Sequence, residues 1–160
     1  MKAIYLKTEY LIKSLGTEAG YLDTVYKIFE NKEAPSRLAG VNAGATTVRE
    51  DREGKVSHNH YSPGAVYEWL FSMVAGITVV GENRFSIKPV PGGTLTHAGA
   101  EYKSLYGIIS SRWEKTKNGF RLKVNIPSNT TAKIELPNWE SYDVEAGAQN
   151  FDFAYKEQKL

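Results

Sequence analysis

Residues 108–126 read IISSRWEKTKNGFRLKVNI and contain two runs in which apolar side chains recur at every second position. A period of two is typical of a strand that buries one face and exposes the other. Asn118-Gly119 lies between the two runs, and this dipeptide favours a tight hairpin turn. We therefore predict an antiparallel β-hairpin. The residues on its predicted inner face are Ile109, Ser111, Trp113, Phe120, Leu122, Val124 and Ile126.

The alternation extends beyond this hairpin in both directions. It recurs over residues 132–136, after a predicted turn at Ser128-Asn129, and aromatic residues within 151–155 supply a last strand. Upstream, His97 falls in a predicted strand, and Gly92-Gly93 predict a turn. About six such strands predict an antiparallel β-sandwich in which each sheet has one wet face.

The N-terminal half has helical periodicity instead. Apolar residues three and four positions apart predict a helix over residues 4–15 and a second one from Leu22 to about Asn31. These two helices would form an αα-hairpin. A third helix is predicted from Ser62-Pro63 to near Gly76, with Trp69 on its apolar face.

Residues 35–61 lack any period and predict a long irregular connection between the second and third helices. Helices followed by strands indicate an α+β chain with segregated parts and exclude a parallel α/β sheet. The period changes between residues 78 and 83, so we predict two domains, 1–80 and 81–160.

The composition argues against several classes of function. Basic residues number 20 and acidic residues 18, and because the basic residues are scattered we expect no nucleic-acid partner. No apolar run is long enough to cross a membrane, and the absence of signal-peptide features slightly favours the cytoplasm without deciding the compartment. The chain has no cysteine, which excludes disulfides and thiolate metal sites. We expect neither a metal nor another cofactor.

The polar stretch 44–61 holds the residues best suited to chemistry. It contains Glu50, two further carboxylates, His58 and His60. Composition alone favours a solvated loop. The functional alternative is the wall of a site, since a carboxylate beside Arg49 and near His60 has partners that set its protonation. A metal site that includes His58 and His60 is a weaker alternative, because no third ligand is matched to them.

Ordered motifs cover nearly the whole chain. They are TEYL at 8–11, APS at 34–36, GATTVRE at 44–50, NHY at 59–61, GAVYEWL at 64–70, VAGI at 74–77, IKPVPGG at 87–93, YG at 106–107 with Trp113, and IPSNTTA at 126–132. In this order they resemble the C-terminal end of bacterial α-L-rhamnosidases. Several ordered motifs together are far more specific than any single one.

The resemblance implies that the helices are the last ones of a six-hairpin α/α barrel and that the strands form the β-sandwich that closes such enzymes. It also implies an inverting glycoside hydrolase that acts on a rhamnose-containing glycoside. Glu50 matches the family's general base, and His60 matches a residue that contacts the sugar where the bond is cut. Arg49 and Asn59, in the same two motifs, are expected to bind substrate.

The chain departs from the family pattern at several points. Arg37 and Arg49 stand where the family typically has tryptophan, and the segment between Glu50 and His60 is shorter than usual. The motif that supplies the general acid is absent, so we expect the isolated chain to be inactive. Barrel helices without their neighbours expose apolar faces, so self-association is also expected. The sequence leaves open whether Met1 is a native start.

A function of a different class is a non-catalytic carbohydrate-binding or interaction module. Trp139 follows Pro137-Asn138 in a predicted loop, where an indole is free to contact a ligand. With Tyr102 and Tyr106 it would be a candidate for stacking on sugar rings.

Overall fold

The computed structural model describes residues 21–33, 36–50, 55–60, 64 and 66–155. These residues form two compact units. The first unit contains the described residues up to Trp69 together with Gly92–Thr94, and the second contains Leu70–Pro91 and the described residues from Leu95 onward.

Helices are short in the described part of the chain. Helix α1 (Leu22–Glu30) confirms the helix predicted from Leu22, and α2 (Arg37–Asn42) and α3 (Val66–Trp69) follow in the first unit. In the second unit Leu70–Val74 forms a π-helical turn, so helical structure ends near Gly76 as predicted. The helix predicted over residues 4–15 lies outside the described residues, and so does its αα-hairpin with α1. None of the helices in the described ranges has the length and apolar character needed to span a bilayer.

The irregular connection predicted over residues 35–61 is wrong in one respect, because α2 lies within it. Ser36 caps this helix, and its hydroxyl oxygen accepts a hydrogen bond from Ala39 N at 3.0 Å. A helix of six residues is too short for apolar spacing to reveal it. Its clearest sequence signal is the serine at the N-cap.

Aromatic packing forms the core of the first unit. Trp69 is 5% exposed and stacks on Phe29, with the ring centroids 5.1 Å apart. Tyr26 meets the same indole edge-on at 5.5 Å. Gly92 lies so close to the Tyr26 ring that a Cβ at this position would overlap it. The predicted core position of Trp69 is confirmed.

The second unit contains eight strands among the described residues, arranged in two four-stranded sheets. In chain order they are β1 (Ile77–Val79), β2 (Arg84–Ile87), β3 (His97–Ser104), β4 (Gly107–Thr116), β5 (Gly119–Ile126), β6 (Thr131–Glu135), β7 (Ser141–Val144) and β8 (Gly147–Phe153). One sheet has the order β1-β2-β6-β7, and the other has the order β3-β4-β5-β8. The predicted hairpin is the β4–β5 pair.

The strand prediction was incomplete, and it missed one parallel pairing. β1, β2 and β7 have only three or four residues, too few for alternation to be recognised. β2 and β6 are parallel, with Phe85 opposite Ala132, so the predicted purely antiparallel sandwich is wrong at this pair. The reason is topological. After β2 the chain builds β3, β4 and β5 in the other sheet before it returns as β6, and so long a crossover can join parallel strands.

The two sheets form a β-sandwich with an apolar interior. At the sheet edges, the rings of Tyr142 from β7 and Phe151 from β8 lie 5.1 Å apart. The predicted inner face of the β4–β5 hairpin is confirmed, because all of its members are buried. The opposite sheet contributes Ile77, Phe85, Ile87, Ala132 and Ile134 to the core.

Two buried hydrogen bonds tie β4 to the segment that precedes β1. Ser111 Oγ donates to Ala75 O at 2.7 Å, and Trp113 Nε1 donates to Val74 O at 2.6 Å. Both donor residues have 0% exposure and cannot reach water. The two hydrogen bonds therefore satisfy polar groups that burial would otherwise leave unpaired. The end of the helical turn is thereby fixed to the central part of the second sheet.

The turn between β6 and β7 carries unusual backbone geometry. Trp139 has a φ of 72°, a value that bulky residues rarely adopt, and its side chain is 76% exposed. Trp139 N donates to Leu136 O at 2.9 Å, and Leu136 N donates to Glu140 O at 2.8 Å. Glycine is the usual residue at such a left-handed position in a hairpin loop. The predicted loop position of Trp139 is confirmed.

We expect Trp113→Phe to lower the free energy of unfolding by about 2 to 4 kcal/mol, because it removes a buried donor and leaves a cavity. Urea unfolding followed by circular dichroism measures this loss. Trp139→Phe is the matched control, since it removes the same atoms from a side chain that is 76% exposed, and we expect a change within about 0.5 kcal/mol. Equal losses in the two variants would contradict the role given to the buried indole.

We expect Gly92→Ala to lower the thermal unfolding midpoint, because the added methyl group would overlap the Tyr26 ring. Gly40→Ala in α2 is the control. Its new Cβ would lie 3.9 Å from the nearest side-chain atom, and alanine favours a helix over glycine by about 0.5 to 1 kcal/mol. A midpoint for Gly92→Ala at or above that of the unmodified chain would refute the close packing.

Candidate functional site

The GATTVRE motif begins where α2 ends. Gly44 has a φ of 77°, the left-handed conformation that commonly ends a helix, and its N–H donates to Val41 O at 2.9 Å. Ala45 N donates to Gly40 O, also at 2.9 Å. The motif therefore starts directly after the helix C-cap, Ala43, where the left-handed Gly44 ends the helix.

Two backbone hydrogen bonds bring separate parts of the polar stretch side by side. Glu50 N donates to Ser57 O at 2.8 Å, and His60 N donates to Val48 O at 2.8 Å. With the backbone held in this way, Glu50 Oε2 lies 3.7 Å from His60 Nδ1. The structure thus brings together the two residues that the resemblance assigned to catalysis and to sugar contact.

The Glu50–His60 pair is open to solvent. The Glu50 side chain is 48% exposed and the His60 side chain 32%. At 3.7 Å the contact is an ion pair when the imidazole is protonated, and a loose polar contact when it is neutral. A carboxylate with this access can take a proton from a water molecule, and an imidazole beside it can bond to a hydroxyl group.

Arg49 and Asn59 adjoin this pair in the sequence. Arg49 is half-buried, and its Nε atom is buried without a hydrogen-bond partner in the part of the chain that the structure describes. Asn59 is exposed, and its backbone N–H donates to Ser57 Oγ at 3.3 Å. Sequence reasoning missed the buried donor of Arg49, because the burial of one nitrogen in a polar loop leaves no pattern in the sequence.

The other candidates lie outside this pair. His58 is exposed, and within the described ranges no group of three histidine, aspartate or glutamate side chains is placed to hold a metal ion. Tyr102 in β3 is 39% exposed and meets Phe71 edge-on at 6.2 Å. Tyr106 lies in the β3–β4 turn and is 37% exposed. The side chain of Arg37 is outside the described residues.

Two family models match the chain in succession. The six-hairpin glycosidase domain of bacterial α-L-rhamnosidases matches residues 4–74, and the C-terminal domain of bacterial α-L-rhamnosidases matches residues 80–151. An α-L-rhamnosidase from Formosa agariphila is 35% identical over an alignment of 154 positions, and the match covers 88% of this chain and 17% of that protein. The chain belongs with the bacterial α-L-rhamnosidases. It corresponds to their C-terminal part.

Further α-L-rhamnosidases agree in sequence and in fold. The protein from Streptomyces avermitilis is 34% identical over an alignment of 146 positions, and the match covers 83% of this chain and 14% of that protein. The crystal structure of the native Aspergillus terreus α-L-rhamnosidase aligns with a TM-score of 0.82 and 30% identity, over 92% of this chain and 19% of that one. The S. avermitilis α-L-rhamnosidase complexed with L-rhamnose also gives 0.82, at 29% identity over 91% of this chain and 17% of that one. The chain thus spans less than a fifth of these α-L-rhamnosidases.

We expect Arg49→Met to leave the urea midpoint unchanged or to raise it, because it keeps the length of the side chain and removes a buried donor that has no partner among the described residues. Arg112→Met on the exposed face of β4 is the control and should be neutral. A loss of more than about 1 kcal/mol in Arg49→Met alone would mean that the guanidinium group holds the loop together.

Proposed function

We propose that the chain is the C-terminal part of a glycoside hydrolase that removes terminal α-L-rhamnosyl residues with inversion of configuration, and that Glu50 is its general base. Residues 1–80 then belong to the end of a six-hairpin α/α barrel, and residues 81–160 are the C-terminal β-sandwich domain. One observation carries the proposal. In a chain related to α-L-rhamnosidases, Glu50 Oε2 lies 3.7 Å from His60 Nδ1 in a solvent-accessible loop.

In an inverting hydrolase the base acts on water and does not attack the sugar. Glu50 accepts a proton from a water molecule while the oxygen of that water attacks the anomeric carbon, on the face opposite the departing alcohol. The exposure of the carboxylate, 48%, leaves space for this water. The hydrogen bond from Glu50 N to Ser57 O holds the backbone that carries the base.

The neighbours of Glu50 bind the substrate in this proposal. His60 contacts a hydroxyl of the rhamnosyl ring at the bond that is cut, and the Asn59 amide and the Arg49 guanidinium add further hydrogen bonds to the glycoside. The S. avermitilis α-L-rhamnosidase, which was solved as a complex with L-rhamnose, supports a rhamnose-containing substrate. Arg49 stands where the family has tryptophan, so polar contacts replace stacking at this position.

We expect the isolated chain not to release the alcohol from an aryl α-L-rhamnoside. Protonation of the leaving group contributes a factor of about 10² to 10⁴, and the general acid comes from another part of the hydrolase. Chromogenic release over hours measures this activity. Turnover that disappears in Glu50→Gln would contradict the expected inactivity. Self-association through the barrel helices stays a prediction, which light scattering on the same sample measures.

The role of Glu50 is testable in a chimera in which this chain replaces the matching part of the S. avermitilis α-L-rhamnosidase. Glu50→Gln should lower kcat by about 10² to 10⁴ and change KM little, because it removes proton transfer and keeps the shape of the side chain. Added azide should restore the rate and give a rhamnosyl azide of inverted configuration, because azide needs no base.

Two control variants separate the base from its surroundings. His60→Gln should raise KM and show no azide rescue, since it changes a sugar contact. Glu101→Gln on the exposed part of β3 should leave both constants unchanged. An unchanged kcat in the Glu50→Gln chimera, or a loss that azide does not restore, would count against Glu50 as the base.

A further inference from the structure

We propose that the turn carrying Trp139 is a second sugar-binding site, which takes the apolar C–H face of a pyranose ring on its indole. The site is formed by the β6–β7 turn within the second unit. Its ligand would be a sugar of a glycan, and the inference stands whether or not Glu50 is a general base. It assigns a binding role to a segment that takes no part in the chemistry proposed above.

Trp139 has a strained backbone conformation. Its φ of 72° lies in the left-handed region, where a Cβ meets the following backbone and glycine or asparagine is ordinarily found. Bulky residues held in this region cluster at functional sites, because the surrounding structure must compensate for the strain. Stability alone would favour glycine at position 139.

The side chain of Trp139 lies in solvent, unlike the other two tryptophans of the chain. Trp139 is 76% exposed, whereas Trp69 is 5% exposed and Trp113 is 0% exposed. The two buried indoles pack in the cores of their units, but Trp139 adds little to the interior. An exposed indole on a strained backbone does not contribute to the stability of the fold. Large rigid aromatic groups are frequent anchors for ligands.

Hydrogen bonds and a buried leucine hold the β6–β7 turn in place without a ligand. Trp139 N donates to Leu136 O at 2.9 Å, and Leu136, which is 4% exposed, anchors the turn in the core. Glu140 N donates to Asn138 Oδ1 at 3.2 Å. Because the backbone on both sides of the indole is fixed, binding would require little ordering of the protein.

Polar side chains adjoin Trp139 in the chain. Tyr142 Oη donates to Glu140 Oε2 at 2.7 Å, and Glu140 is exposed. This hydrogen bond raises the pKa of Tyr142 above its ordinary value and fixes the direction in which the phenol points. A carboxylate, a phenol and the Asn138 amide offer acceptors and donors to sugar hydroxyls, while the indole suits the apolar face of the ring. This combination favours a sugar over a purely apolar partner.

The test follows the indole N–H groups of the full chain by NMR. The chain has three tryptophans, and Trp139→Tyr identifies the Trp139 signal by its loss. On titration with L-rhamnose, and separately with an α-linked rhamno-oligosaccharide, we expect a saturable shift of the Trp139 signal and none for Trp69 or Trp113. An unshifted Trp139 signal with both sugars would overturn the proposal. A signal that moves with protein concentration and not with sugar would also overturn it and would indicate a contact between copies of the chain.

Variants separate binding from folding. Trp139→Gly should keep or raise the thermal midpoint, because glycine accepts the left-handed conformation, and should lower oligosaccharide affinity at least tenfold by calorimetry. Trp139→Tyr should keep most of the affinity, and Tyr106→Ala, at another exposed aromatic residue, should keep all of it. Full affinity in Trp139→Gly would refute the site.

Glu50→Gln separates this site from the Glu50 loop, that is, from the described residues 44–50 and 55–60 of the polar stretch. We expect the Trp139 shift to persist in that variant with unchanged affinity. Its loss there would place the bound sugar at Glu50 and overturn the second site, while its persistence in a chain whose Glu50 fails as a base would leave the second site standing.

Discussion

The structure of the second unit depends on the attachment of the helical turn Leu70–Val74 to strand β4. Trp113 Nε1 and Ser111 Oγ donate to two successive backbone carbonyls, of Val74 and Ala75, inside an apolar interior. β4 is paired on both sides, with β3 and with β5, so these donors cannot easily move. The chain therefore enters β1 from a fixed point. A buried indole is well suited to this task because it fills the core and satisfies a backbone carbonyl at once.

The Glu50 loop is held by backbone hydrogen bonds, whereas the second unit is held by burial of apolar side chains. Its residues are mostly exposed or half-buried, and the described part of the loop is organised by backbone hydrogen bonds between 48–50 and 57–60. Such bonds fix the position of the main chain and leave the side chains accessible. The role proposed for Glu50 needs this combination, because water and substrate must reach a general base whose position is already fixed. The sandwich, in contrast, gains its stability from burial.

The sequence predicted long elements well and short ones poorly. Alternation over 108–126 was enough to identify the β4–β5 hairpin and its inner face, since ten- and eight-residue strands carry several periods of the pattern. The three-residue β1 and the six-residue α2 carry less than two, so only local signals such as the Ser36 cap remain. The parallel β2–β6 pair was missed because the order of strands in a sheet is set by long-range packing.

The candidate site was predicted through motifs, and the structure adds the geometry. The motifs GATTVRE and NHY identified Glu50 and His60, respectively. They did not predict that backbone hydrogen bonds would bring the two side chains to 3.7 Å. The buried Nε of Arg49 and the strained backbone of Trp139 had no sequence signal, because both depend on the surrounding fold. Residue type suggested a contact role for Trp139, and conformation supplies the physical argument for it.

The parallel pairing of β2 with β6 sets the order in which the chain can fold during synthesis. Residues 88–130 separate the two strands, so β2 leaves the ribosome long before its partner exists. Until then β1 and β2 form only a short two-stranded ribbon, which is marginal in water. The β3–β4–β5 meander has local pairings, so it can form before β6 is synthesised. Its apolar face can then cover the β1–β2 ribbon. The first sheet can therefore be completed only after β6 has been synthesised, and until then the sandwich has unpaired strand edges and apolar surface open to aggregation.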